Sequence, residues 1–305
     1  MYDISGISYQ AKRQPEWFTK ALFSGKIIDG GYVKILPNVK QSTLINMLDL
    51  DGNILQKSQF DCGWNPTAAL KLSEQMLNVE TYKIQMEDCI EKFETTWLAE
   101  RMKPGANSID ELPATLEEAS MQIIANEVSQ NIDRLLFGGT SGNTNEFSGY
   151  VEILSGATDT IKLGGDILTP SNVLGELEKV FMAIPKAVLK NKKDIKFFVS
   201  ESTSRAIRVA LTSVSAQVIN VAFNISDDMI KYFGIEIVET EGLTDDQIVA
   251  ASINNLLMGT DLVSDFAQIE LGNFAKPNDD MIYVKGRMKV GVGVAYPSET
   301  VLYAA

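Results

Sequence analysis

Between Thr115 and Phe137 the apolar residues Leu116, Ile123, Ile124, Val128, Ile132, Leu135 and Leu136 recur at three- and four-residue steps. That spacing lays one apolar stripe along an α-helix. Pro113 precedes Thr115, and Glu118 completes a Thr-x-x-Glu capping box. Gly138 and Gly139 follow Phe137 and supply a helix stop. At 1.5 Å per residue the rod is roughly 35 Å long. A helix this one-sided needs a long apolar partner, and the end of the chain provides one. From 280 to 297, Ile282, Val284, Met288, Val290, Val292, Val294 and Tyr296 share one face of a predicted strand, while Lys285, Arg287, Lys289, Gly291 and Gly293 take the other.

The remaining pattern is less regular. Residues 1–14 are polar and read as an extended arm, and a short helix carries Trp17, Phe18, Ala21 and Leu22 up to Gly25. Residues 31–86 read as strands and turns: Tyr32–Leu36 stopped by Pro37, then Ser42–Leu50 running into Asp51-Gly52-Asn53, a hairpin signal. Ile54–Phe60 is the expected return strand, followed by a turn-rich 61–67 and a strand with Tyr82, Ile84 and Met86 alternating against polar residues. This section has little apolar mass, and isolated hairpins are marginal in water, so it predicts a projection that needs a neighbour. A helix is expected over 87–102, with Phe93 and Trp97 on one side. From Asp166 the pattern turns α/β: a helix with Pro170 in its first turn and ending near Pro185, a strand at Ile195–Val199, a helix over Thr203–Val218, a strand at Ile235–Val238, and one or two strands within Ile248–Gly259.

Composition narrows the chemistry. The 305 residues hold no histidine, which removes Ser-His-Asp and Cys-His catalysis and histidine metal sites. Cys62 and Cys89 form neither a disulfide framework nor a zinc site, and they suit a reducing compartment. A net charge of −13 argues against a basic nucleic-acid reader, and no apolar run reaches membrane-span length. The glycine-rich stretch after Phe137 lacks a Gly-Lys-Ser/Thr ending and follows a helix C-terminus, where the dipole repels anions. Asp49-Leu50-Asp51-Gly52-Asn53 misplaces the glycine of a calcium loop and has Phe60 where a glutamate belongs. The acidic pairs Glu117-Glu118, Asp227-Asp228, Asp245-Asp246 and Asp279-Asp280 read as helix starts and turns, since sequence neighbours point apart. No catalytic residue, cofactor site or metal site is expected. The residues singled out are interface candidates: the hairpin tip Asp51, Gly52 and Asn53, the exposed-turn Trp64, and the basic stripe Lys285, Arg287 and Lys289.

The order of elements carries a resemblance. A polar arm and a projecting β-loop lead to a long helix ending Leu135-Leu136-Phe137-Gly138-Gly139-Thr140-Ser141-Gly142, with Phe147-Ser148-Gly149 after it. Phe197-Phe198-Val199-Ser200-Glu201-Ser202-Thr203-Ser204-Arg205 and the closing Gly234–Val238 and Val290–Pro297 segments follow. Over its whole length the chain resembles the major capsid protein of tailed double-stranded-DNA bacteriophages, a fold shared with encapsulins. The resemblance implies an α+β class. It also implies an N-terminal arm (1–30), an extended β-loop (31–86), a peripheral domain with a spine helix (87–165 plus 278–305) and an axial α/β domain (166–277). It further implies hexamers and pentamers of the chain closing an icosahedral shell around packaged double-stranded DNA bound without sequence specificity. Portal and scaffolding proteins are the implied partners. The methionine at the start of the arm points to a separate scaffold or none, and no lysine–asparagine cross-link is expected. Assembly in the host bacterial cytoplasm, no membrane contact and a structural rather than catalytic role complete the expectation. The alternatives are an encapsulin-type nanocompartment, an α/β enzyme using carboxylates or lysine, and a tail-tube or sheath subunit.

Overall fold

The computed structural model describes residues 25–55, 57, 66–89, 114–212, 223–225, 229–261, 270–273 and 281–305. The front of the described chain is a one-turn helix α1 (Lys26–Asp29) and a short strand β1 (Lys34–Leu36). A hairpin of β2 (Thr43–Asp51) and β3 (Ala69–Leu77) follows, and β3 passes into β4 (Glu80–Cys89). The long helix α2 runs Ala114–Gly138, within a residue of the expected span at each end. Then come α3 (Tyr150–Gly156), β5 (Ile161–Gly164), α4 (Val173–Ala183), β6 (Ile195–Val199) and α5 (Glu201–Thr212). The remaining strands are β7 (Phe223–Ile225), β8 (Ile230–Tyr232), β9 (Ile235–Glu239), β10 (Gln247–Ser252), β11 (Leu256–Thr260), β12 (Glu270–Asn273), β13 (Met281–Val294) and β14 (Val301–Ala304).

Three sheets result. A seven-stranded sheet has the order β5-β14-β10-β6-β9-β8-β7, and a five-stranded sheet joins β1, β11, β13 and β12 with β4 also paired to β13. The hairpin β2–β3 stands alone as the third. Alternation along the strands of the large sheet sorts its two faces. Phe197, Val199, Ile235, Ile237, Ile248, Ala250, Val301 and Tyr303 face α4 and α5, where Val173, Leu177, Val180 and Ile207 are fully buried. Phe198, Val238, Val249, Ala251 and Leu302 face the opposite way, into a second core with α1, the end of α2, α3 and the five-stranded sheet. The large sheet is therefore the middle layer between two helices and the rest of the molecule, the usual way to bury both faces of a sheet.

The long helix and the terminal strand enter this second core together, where Ile132, Leu135, Leu136 and Phe137 join Val284, Val290, Val292 and Val294, with α3 packed against both. Phe137 makes the main joint: its ring lies 5.2 Å from Tyr150 and 4.8 Å from Phe198. Just beyond it, Gly138 and Gly242 meet backbone to backbone. A Cβ on Gly138 would lie 2.2 Å from the Gly242 carbonyl, and one on Gly242 would lie 2.2 Å from the Arg134 carbonyl.

Several expectations change. The return strand of the hairpin is Ala69–Leu77, not Ile54–Phe60, because the register Leu44↔Met76, Leu48↔Leu72 and Leu50↔Leu70 matches apolar residues across the ladder. The described residues Ile54, Leu55 and Lys57 are not in a strand. Glu87–Cys89, expected to open a helix, continue β4; the rest of that helix, the helix around Trp17 and Trp64 lie outside the described residues. The helix after Pro170 begins at Val173. The helix expected from Thr203 starts at Glu201, because the Ser200 hydroxyl accepts the Thr203 N–H at 3.2 Å and so caps it two residues earlier. Ile248–Gly259 divides into β10 and β11, which enter different sheets. Sheet membership also crosses the expected divisions: β5 and β14 complete the large sheet, while β1, β4, β11 and β12 build the sheet of β13.

Candidate assembly surfaces

The glycines of β13 do not face solvent, as a bare strand face would. A Cβ at Gly291 would fall 1.9 Å from the Asn78 carbonyl, and Cβ atoms at Gly259 and Gly293 would meet the Leu77 side chain at 2.8 and 3.0 Å. The three glycines make a flat seat in which Leu77, 1% exposed, is buried. The same side of the hairpin is tied down by Met47, which packs with Leu257 and Ala295. The hairpin base is thus covered by its own chain.

Its opposite face is not. Leu44, Leu48, Leu50, Leu70, Leu72 and Met76 share that face through their cross-strand pairing, and all six are exposed, Leu48 to 60% and Leu72 to 62%. Polar residues interrupt the row only at the Asn46–Glu74 pair. An exposed apolar row of this kind marks an interaction surface. The sequence marked the hairpin's first strand and tip but neither its return strand nor this face; Leu48 and Leu50 flanking Asp49, and Leu70 and Leu72 flanking Lys71, were the available signal.

The interface candidates fall at three places. Asp51 ends β2 opposite Ala69, Gly52 has φ +92° with the Thr67 carbonyl close to where its Cβ would be, and the Asn53 carbonyl accepts the Thr67 hydroxyl at 2.9 Å. They form the first corner of the tip. Lys285 and Arg287 are exposed on β13, with Lys83 of β4 directly opposite Arg287 and Glu270 of β12 directly opposite Lys285. Lys289 differs. It is half-buried, its N–H donates to Asp261 at 3.0 Å and its ammonium donates to the Lys40 carbonyl at 2.9 Å. The structure therefore brings Lys285 and Arg287 together with Lys83 on one face and commits Lys289 to the base of the hairpin.

Several donors of the glycine-rich loop after α2 are occupied by carboxylates. Glu146 accepts from the Thr140 N–H at 3.3 Å and the Asn143 amide at 3.0 Å, and Glu152 accepts the Ser141 N–H at 2.8 Å and its hydroxyl at 2.7 Å. Asn143 holds the Glu146 carboxyl below its ordinary range, and the Ser141 hydroxyl does the same for Glu152. With two carboxylates seated there, the loop is a poor anion cradle. A groove of about 800 Å³ lies between α2 and β4, lined by Tyr82, Ile84, Val128, Ile132, Leu135 and Phe147 among others. Among the described residues no group of three or more His, Cys, Asp or Glu could hold a metal, and no helix is long and apolar enough to cross a membrane.

No family model matches the sequence, and no curated protein matches it. Solved structures do. The satellite phage P4 procapsid matches with a TM-score of 0.63 at 10% identity, covering 98% of this chain and 93% of that one. The capsid of Myoviridae phage XM1 matches at 0.59 and 12%, covering 100% and 96%. The chain has the phage major capsid fold. A virus-like particle from Pyrococcus furiosus matches as well, with a TM-score of 0.51 at 8% identity over 94% of this chain and 96% of that one. In this capsid fold the long helix, the hairpin and the two cores account for most of the chain, and nearly all the apolar surface left uncovered on the hairpin lies on one face.

Proposed function

We propose that the chain is the major capsid subunit of a tailed bacteriophage, a structural protein that assembles with copies of itself into hexamers and pentamers of an icosahedral shell around double-stranded DNA. The observation that carries this reading is the leucine row on the hairpin, an apolar face that the subunit's own body leaves bare while it firmly seats the other side. A neighbouring copy is its natural cover, because a shell contact repeated at every subunit needs interfaces in the obligate range, above roughly 2,000 Å². The arm, β-loop, peripheral and axial divisions serve this role: the α2–β13 core is the frame, the hairpin is the reach, and the helix-covered sheet packs around the capsomer axis. Lys285, Arg287 and Lys83 meet carboxylates of a neighbour, in keeping with a chain of net charge −13. Portal and a separate scaffold are the other partners, in the bacterial cytoplasm.

Negative-stain microscopy of the purified chain tests the proposal. Closed shells are expected, and nuclease-protected DNA inside particles from infected cells. Tubes would instead support a tail protein, closed shells loaded with protein a nanocompartment, and a monodisperse monomer at high concentration would end the assembly reading.

A further inference from the structure

A carboxylate stands where three parts of the molecule meet. Asp133, on α2, is 6% exposed. Its Oδ2 accepts the Ile27 N–H at 3.3 Å, so it caps α1, whose own N-cap is Gly25 and supplies no side chain. Its Oδ1 is buried without a hydrogen-bond partner among the described residues. A Cβ on Gly25 would lie 2.3 Å from that oxygen, so the front of the chain is packed directly on the carboxylate. One turn further along α2, Gly138 touches Gly242 in the β9–β10 turn.

The charged groups around it are mostly of its own sign. Asp29 on α1 and Glu241 in the β9–β10 turn both act on it. Among the described residues, Lys26 pairs with Glu239 at 3.1 Å, Arg208 with the same carboxylate at 3.6 Å, and Arg134 with Glu146 at 3.5 Å. We propose that Asp133 makes the joint between α1, the long helix and the β9–β10 turn a proton-operated clasp, loose when three carboxylates are ionised and tight when Asp133 takes up a proton. A buried oxygen with no donor is costly while charged, and protonation removes both that cost and the repulsion.

The direction follows from linkage. Burial, the largest cause, raises the Asp133 carboxyl from 3.8 to about 6, against the lowering by the Ile27 and Lys26 N–H groups. The folded joint therefore binds a proton that the open one does not, so closure strengthens as pH falls through about 6 and the gain is complete below about 4. Between pH 7 and pH 5 that amounts to about a tenfold change in the closing equilibrium. The clasp does not depend on what the chain assembles into.

Hydrogen exchange on the full chain, corrected for the intrinsic pH dependence of exchange, reads it directly at the amides of residues 26–31. Protection is expected to rise about tenfold from pH 7 to pH 5. Asp133→Asn should lose that slope and keep high protection at pH 7. Glu241→Gln, which leaves Asp133 in place, should shift the midpoint to lower pH. A flat wild-type profile, a slope retained in Asp133→Asn, or an unmoved midpoint in Glu241→Gln would overturn the proposal.

Discussion

Truncating the two leucines at the centre of the bare hairpin face separates folding from assembly. Leu48 and Leu72 are cross-strand partners, 60% and 62% exposed. Covering a leucine completely is worth about 1.5–3 kcal/mol, so covering the exposed part of each is worth about 1–2 kcal/mol. The Leu48→Ala/Leu72→Ala chain should then lose about 2–3 kcal/mol at each hairpin contact, roughly a 30- to 150-fold fall in the association constant. The translational and side-chain ordering costs of association are common to both chains and cancel in the comparison. Folding should hardly change, because these side chains already face water in the single subunit and Met47 and Leu77 still seat the base. The assay is sedimentation velocity across a concentration series, with thermal unfolding of the unassembled chain beside it. Assembly at the wild-type concentration would refute the assignment of this face as the contact; a large fall in unfolding temperature would refute the claim that it is idle in the monomer.

Gly291→Ala should loosen the hairpin base, because the new Cβ would meet the Asn78 backbone at 1.9 Å; overpacking of this kind costs about 1–3 kcal/mol or more, readable as a lower urea midpoint. Glu236→Gln should destabilise the fold by about 2–4 kcal/mol, since it strands the largely buried Lys196 ammonium, now held at 2.5 Å, without a countercharge and leaves one amide oxygen where Lys196 and the Tyr32 hydroxyl each had a carboxylate oxygen. Burial alone would raise Glu236, but bonds from Lys196 and Tyr32 outweigh it and lower its carboxyl. Its contribution is therefore present above the ordinary carboxylate range and lost as pH falls through its folded value, a part of the acid unfolding profile that the variant should lack. Lys285→Glu with Arg287→Glu should weaken assembly at low salt and flatten its salt dependence in light scattering, with folding unchanged; assembly equal to wild type would remove the basic stripe from the interface.

Local pattern carried much of this molecule. The 3.6-residue recurrence from Leu116 to Leu136 and the glycines after Phe137 place the long helix within a residue of its observed ends, because period and stop signals are properties of the chain alone. The alternation from Ile282 to Val294 likewise fixes the strand and one of the two sides it buries. What alternation cannot state is which strand lies beside which. Ile248–Gly259 reads as one strand or two, and only the fold sends its halves into different sheets; Ala69–Leu77 rather than Ile54–Phe60 returns the hairpin, since pairing is decided by cross-strand matches between distant residues. The glycine seat under Leu77, the leucine row left bare above it and the carboxylate of Asp133 set against Gly25 are likewise products of approach in space. A side chain's neighbours across the fold, and the water they exclude, exist only once the chain has closed on itself.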